Sequence, residues 1–337
     1  MFEVFMYAVN AILPLILLIA VGYALRVTGL ISREFVKTGN KLLFRFVLPV
    51  MVTFNIYGIS DFSQVRWDIL VFVYAMILIL FGLGILTSLL FIKGAGARGV
   101  IAQCSFRSNY AILGLPLVKG LVGTENFYVA SFLVAFVVPL FSFLSVIALT
   151  MFSDKNDKNH SLKSVARDVV TNPLIIAAAT GLLILLIRSF IPVNASGDHI
   201  FTIEKNLPFI YSAADTISKS ATFLSLLVLG GLLDFGAIRG KMKEIIIGTI
   251  TRTAFAPVLG LTCAYFLSQA GLLYCSAAEY AALIALFGAP VAISSAIMAA
   301  EMQADAELAR QLVVWTSFTP LVTMFAFIMV FRYLGLL

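Results

Sequence analysis

Charge is what this chain has least of. Only 12% of its 337 residues are Asp, Glu, Lys or Arg, about half the share found in soluble domains, while 61% are hydrophobic. That balance excludes an ordinary water-soluble globular protein and leaves a polytopic membrane protein. Histidine is nearly missing. His160 and His199 are the two present, both in polar connecting segments, so no metal site can be read from them. Cysteine is scarce and odd in number (Cys104, Cys263 and Cys275), and the first two sit in apolar runs, which does not support a disulfide framework. There is no GxxxxGK[ST] loop to cradle a nucleotide, no HExxH and no pair of aspartates in adjacent apolar runs. The chain is therefore read as no enzyme, with no catalytic residue, metal or cofactor. The net charge of +6 would raise nucleic acid in a soluble chain; here its distribution over loops is what matters, and no nucleic-acid partner is expected.

What is abundant is apolar runs of about 20 residues, the length that crosses a bilayer. Ten are read, at 8–26, 41–59, 68–92, 99–122, 127–151, 171–191, 212–233, 244–268, 277–301 and 308–333. The first has only Glu3 ahead of it, no basic segment, and continues past signal-peptide length to Arg26; it is read as a retained helix. Most of the 23 Lys and Arg fall in the connections after odd-numbered runs, whereas the even connections and the C-terminal end hold only Arg66, Lys119, Arg188, Lys205 and Arg332. That asymmetry places the odd connections in the cytoplasm and both termini outside. The expected setting is a plasma membrane such as a bacterial inner membrane.

The fourth run is unlike its neighbours. It carries Arg107, Ser108 and Asn109 in its middle and then Gly114 and Pro116. Proline cannot donate the backbone hydrogen bond of a continuous helix, and glycine tolerates the irregular backbone that results. A break is expected. In hydrocarbon, the freed polar groups must be buried in protein or line a polar cavity, so a break with polar residues reads as a binding site.

The connection 153–168 divides the runs five and five, giving a first repeat over 1–152 and a second over 169–337. Pro14 is followed eight residues later by Gly22, and Pro173 eight residues later by Gly181. The fourth run has Gly114-Leu115-Pro116 and the ninth Gly288-Ala289-Pro290. An odd number of spans per repeat makes the second half enter from the opposite side. The expected fold is all-α, ten transmembrane helices in two inverted five-helix repeats, with broken helices four and nine crossing near mid-bilayer. Each crossover proline is expected in the first turn of its second half-helix, where its missing N–H is harmless. Half-helix N-termini then suit an anionic group, and the facing C-termini offer carbonyls.

Several residues have two readings from sequence. The amide of Asn109 suits a carboxylate or a half-helix cap. The Arg107 guanidinium suits a helix C-terminus or a carboxylate substrate. Ser294 and Ser295 either bond back to their own helix or meet a ligand. Arg252 lies about eight residues into its run, roughly 12 Å deep; an unpaired cation there is a pathway or coupling candidate, whereas bonds to neighbouring carbonyls would make it structural. Asn10, Asn55 and Asn172 either line a pathway or make helix-end and interhelical bonds. Lys219 has Asp215 four residues earlier, the order of a local pair, and Arg45 lies near a helix end from which it can snorkel.

Five segments in order resemble bacterial members of the auxin efflux carrier family over essentially the whole chain: LPLILLIAVGYALRVTGLI at 13–31, Leu48-Pro49, SNYAILGLPL at 108–117, TNPLIIAAATGLL at 171–183 and Gly288-Ala289-Pro290. The resemblance implies a secondary transporter with crossed helices four and nine. It implies a scaffold of spans one, two, six and seven, elevator-like exchange, and a homodimer. It also implies small carboxylate substrates, such as malonate and other dicarboxylates or auxin-like acids, and a carboxylate-binding role for Asn109. A fold shared with the bile acid sodium symporters is a more distant likeness. The ninth run departs from plant members, which carry an asparagine at each crossover. The site set read here is Asn109, Arg107, Ser108, Gly114, Pro116, Gly288, Pro290, Ser294 and Ser295 for substrate, with Arg252, Asn10 and Asn55 on a pathway. The alternatives are a sodium-coupled symporter and a membrane sensor that binds its ligand without moving it.

Overall fold

Proline shapes the helices locally, and it does so by widening the turn before it. Five-residue turns of π-type spacing occupy Leu43–Val47, Tyr110–Gly114 and Thr251–Phe255, and Pro49, Pro116 and Pro257 follow each at the same offset. A proline leaves the carbonyl four residues back without its N–H. Widening the turn lets nearby carbonyls reach one residue further: the N–H of Leu48 donates to Leu43 O and that of Ala256 to Thr251 O. The helix continues with its backbone satisfied.

The structure, a computed structural model, describes residues 2–58, 66–123, 128–152, 170–171, 173–193, 199–232 and 240–337. The linker 153–168, His160 and Asn172 lie outside the described residues, as do the side chains of Asn10, Asn55 and Pro116. Described helices are α1 Phe2–Val27, α2 Arg33–Leu42, α3 Leu48–Tyr57, α4 Trp67–Phe91, α5 Ala95–Phe106, α6 Leu115–Val122, α7 Tyr128–Met151, α8 Pro173–Ser189, the short α9 Ile203–Asn206, α10 Pro208–Leu232, α11 Met242–Ile250, α12 Ala256–Gln269, α13 Ala277–Gly288, α14 Ile293–Glu301, α15 Ala306–Phe318 and α16 Pro320–Tyr333. The protein is all-helical among the described residues, with extended pairing confined to two isolated bridges.

Among the described residues, three helices are by themselves long and apolar enough to cross a bilayer: Trp67–Phe91, Phe132–Met151 and Met242–Gln269. The last apolar run, read from sequence as one span, is bent by 42° between Ala306–Phe318 and Val322–Tyr333. Pro320 at the start of α16 accounts for the bend.

Small residues decide which helices touch. A methyl group on Gly22 of α1 would be driven into the carbonyl oxygen of Leu227 on α10, and one on Gly230 of α10 into that of Ile19 on α1. On the other side of this group, Gly181 of α8 leaves only 2.9 Å between an added methyl and Ile56 Cβ of α3. Thus α1 packs on α10 and α3 on α8 with backbones in close approach. A second set is built on α4 against α5, α5 against α7, and α13 against both α6 and α12. Ion pairs tie its rim: Arg66, just before α4, reaches Glu279 at the start of α13 at 3.0 Å and Asp68 at 2.6 Å. Lys241 pairs with Asp305 at the opposite ends of α11 and α15 from that rim. The local pair Lys219–Asp215 forms at 2.5 Å.

The positions of the two breaks correct the sequence expectation. In the fourth run α5 ends at Phe106, residues 107–109 are extended, and the wide turn begins at Tyr110. The break therefore precedes Gly114 and Pro116, because the wide turn absorbs the proline without interrupting the helix. In the ninth run α13 ends at Gly288 and α14 starts at Ile293, so Pro290 lies in the extended segment itself, not in the first turn of the following helix. A residue before proline is pushed to extended backbone, and Ala289 has φ −62° and ψ 150°.

Candidate functional site

Two broken helices leave unpaired backbone groups, and here each break supplies the other's partners. Ser108 and Val291 face one another in an antiparallel bridge. The N–H of Asn109 donates to Pro290 O at 2.8 Å, and the N–H of Ala292 donates to Arg107 O at 3.2 Å. Thr316 of α15 accepts the N–H of Val291 on its hydroxyl at 3.1 Å. Proline at 290 costs this ladder nothing, since only its carbonyl is used.

The carbonyls at the C-terminal ends of α5 and α13 converge on one side chain. Arg252, on the wide turn before α12, is 1% exposed. Its Nε donates to Ala289 O at 2.9 Å, Nη1 to Phe106 O at 3.2 Å, and Nη2 to Leu286 O at 2.9 Å and Phe287 O at 3.2 Å. A cation at two helix C-termini meets the negative ends of both dipoles. No acidic side chain pairs with it among the described residues. The guanidinium fork matches this set of acceptors, and the geometry is that of the carbonyl-capping reading.

Arg107 is placed differently. It is 3% exposed, and its Nη2 donates to Ser294 Oγ at 2.9 Å. Nη1 faces Met298 Sδ at 2.8 Å and Phe141 O at a long 3.4 Å. Thioether sulfur is a weak acceptor, and Nε has no partner among the described residues. Nor has Arg107 an acidic partner among them. A buried cation so lightly held has donor capacity left for an anion.

That capacity opens on a cavity of about 50 Å³. Arg107, Ser108 and Asn109 line it from the first break, Ala292 and Ser294 from the start of α14, Ser142 from α7 and Ser225 from α10. Among the described residues, no acidic side chain lines it. The hydroxyls of Ser108, Ser142 and Ser225 are buried without a hydrogen-bond partner, an arrangement that is costly unless a ligand or water completes it. The N-terminal end of α14, which has no side-chain cap, adds main-chain donors and positive dipole to the same wall. The volume holds one or two waters, at about 30 Å³ each, so the described conformation is closed around the site.

Of the residues singled out from sequence, Arg107, Ser108, Asn109 and Ser294 are brought together. Ser295 is buried but does not line the cavity, and its N–H donates to Ala292 O at 2.9 Å. Gly288 and Pro290 shape the second break without reaching the cavity. Gly114 instead lets the wide turn close over the ring of Tyr110. Ser142 and Ser225 were not anticipated. Each is one of several Ser and Thr in a long membrane helix, where such hydroxyls more often bond back to their own helix, so neither stands out.

The family described as membrane transport protein matches residues 7–328 of this chain. A protein described as an uncharacterized transporter, from Methanothermobacter thermautotrophicus, is 20% identical over 328 residues, covering 95% of this chain and 97% of its own.

Proposed function

Because the chain belongs to the auxin efflux carrier-like membrane transport protein family, and is thus an integral membrane protein, we propose that it is a secondary carrier of small organic anions. One observation carries the reading: a buried arginine without an acidic partner among the described residues shares a closed cavity with an amide and several unpartnered hydroxyls, where two broken helices cross. A carboxylate is an acceptor-only group with four lone-pair sites. It can take donors from Arg107, Asn109, Ser142, Ser225 and Ser294 together, and the wall lacks any carboxylate that would repel it. Malonate, other small dicarboxylates and auxin-like acids fit that chemistry.

The closed volume is smaller than such a molecule, so binding requires the walls to part. The cavity lies between the group of α1, α3, α8 and α10 and the set built on α4, α5, α7 and α13, since its lining comes from both. Sliding of one group against the other, elevator fashion, would open it to alternate sides. Two inverted repeats of five spans, over 1–152 and 169–337, are part of this proposal. The matched contacts of Gly22 on α10 and Gly181 on α3 support it, as does the crossing of the fourth and ninth runs. A homodimer and termini on the non-cytoplasmic face complete the proposed arrangement.

The test is charge movement in proteoliposomes on adding malonate and a panel of mono- and dicarboxylates, with and without sodium and under an imposed pH gradient. Saturable currents that vanish in Asn109→Ala or Arg107→Gln are expected. Tight binding with no current across the panel would overturn the carrier reading in favour of a ligand sensor.

A further inference from the structure

A cavity of about 550 Å³ lies away from the crossing, and nothing in the transport reading uses it. Its long walls are one stripe of α3 (Pro49, Thr53 and Tyr57, every fourth residue) and the facing stripe of α8 (Pro173, Ala177 and Ile184). The polar atoms along these walls are already engaged. Thr53 donates to Ala177 O at 3.0 Å and Thr180 to Ile176 O at 2.8 Å, leaving methyls and ring faces toward the space. Rings close one end: Phe54 and Tyr57 pack on Tyr211, with centroids 5.1 and 6.4 Å away. The Tyr57 hydroxyl accepts the N–H of Ile203 at 3.0 Å. Along these walls a small carboxylate would meet mainly apolar surface.

The other end differs. Arg45 is the one charged residue in the lining; it is exposed and has no acidic partner among the described residues. Lys37 and Lys41 precede it at four-residue spacing, both exposed. Along the helix from Arg45 to Tyr57 the rise is about 18 Å, close to the ~15 Å depth of one leaflet's hydrocarbon. An apolar channel of leaflet length with a basic mouth has the shape and charge of one lipid chain below a phosphate.

We propose that this groove binds an anionic phospholipid, with an acyl chain lying between α3 and α8 and the headgroup held by Arg45 at its mouth. The site tethers lipid to the group of helices against which the other set would move. The proposal does not depend on what the carrier site binds.

The experiment uses the full-length protein in phosphatidylcholine vesicles doped with either phosphatidylglycerol or phosphatidylcholine that carries a diazirine on its acyl chain. Photolabelled peptides are then mapped. Phosphatidylglycerol should label the α3 and α8 walls about fivefold more than phosphatidylcholine does, the preference expected of one basic residue at a membrane surface. Arg45→Gln should bring the two to parity, and the exposed face of α4 around Val71 and Leu78 should show no preference in either protein. Equal labelling of the groove by both lipids, or a preference that survives Arg45→Gln, overturns the proposal. So does an unlabelled groove in which Ile176→Cys cross-links to its counterpart in a second copy, because the occupant would then be protein.

Discussion

Two arginines are buried within a few residues of the crossing, and the structure assigns them opposite consequences when each is replaced by methionine. Arg252 donates to four main-chain carbonyls. Arg252→Met leaves them buried without donors, at about 1–3 kcal/mol each, or at least ~4 kcal/mol together. Removing a buried cation returns part of its desolvation cost, so the net loss of stability is expected near 2–4 kcal/mol. Arg107 makes one sound hydrogen bond, to Ser294, with a long contact to Phe141 O and a weak sulfur acceptor beside it. Its loss costs about 1.5–3 kcal/mol, which the desolvation gain largely offsets. Arg107→Met should fold with stability within ~1 kcal/mol of the parent and lose malonate binding by one to two orders of magnitude, since hydrogen bonds to a charged group contribute ~1.5–3 kcal/mol. The assay is thermal unfolding in detergent with and without malonate, alongside flux in proteoliposomes. The reasoning is refuted if Arg252→Met melts with the parent while abolishing flux, or if Arg107→Met unfolds.

Three further outcomes follow from other parts of the molecule. Gly22→Ala forces a methyl into the Leu227 carbonyl, whereas Gly181→Ala meets only the side chain of Ile56, 2.9 Å away. The first should cost ~1–3 kcal/mol and the second less, and equal melting temperatures would contradict the close backbone approach of α1 and α10. Ser142→Ala and Ser225→Ala remove hydroxyls that are buried without partners. Each should leave stability unchanged or raise it, while malonate binding measured by titration weakens severalfold; unchanged affinity in both would take these serines out of the site. Burial, reinforced by the Glu279 carboxylate, pushes the Cys275 thiol up to about 12. Only the thiolate reacts, so at pH 8 alkylation should run about a thousandfold slower than for a free cysteine of pKa ~8.5 and climb roughly tenfold per pH unit. Complete labelling of the Cys275 peptide within minutes at pH 8 would show that the burial is wrong.

The helices were legible from sequence because hydropathy reports length directly: the described apolar runs fall mostly on helix, although the helices of the first and second runs begin at Phe2 and Arg33, well before the runs themselves. What periodicity could not supply was the response of the backbone to proline. Pro116 marks a broken run in the sequence, but a wide turn absorbs it, as others do before Pro49 and Pro257. Pro320 bends the last run, which hydropathy alone reads as one span. The first break falls at the start of the stretch 108–117 in which the sequence places it. The polar triplet Arg107, Ser108 and Asn109 was a better marker of it than Gly114 and Pro116, since side chains that can satisfy freed backbone sit where the backbone is freed. The site itself was half visible. Four of its residues lie at the breaks and could be named, whereas Ser142 and Ser225 are each one of several Ser and Thr on their helices, and the sequence does not say which of them faces the crossing.

The two arginines also explain one another. Where two half-helices end together, their last carbonyls form a patch of negative partial charge, and a single nearby cation would be drawn to it. Arg107 is adjacent to that patch through Phe106, whose carbonyl it could cover. Arg252 covers it instead, together with Leu286, Phe287 and Ala289. With the carbonyl ends neutralised from the α12 side, Arg107 is left to point the other way, toward the start of α14 and the unpartnered serines. A substrate anion would then compete with a thioether and one hydroxyl, not with four carbonyls. Arg252 is thus a positioning residue for a site it does not touch. Arg252→Lys tests this: a lysine has three donors in place of a planar fork, so it should leave some carbonyls for Arg107 to cap and weaken malonate binding even in protein that still folds.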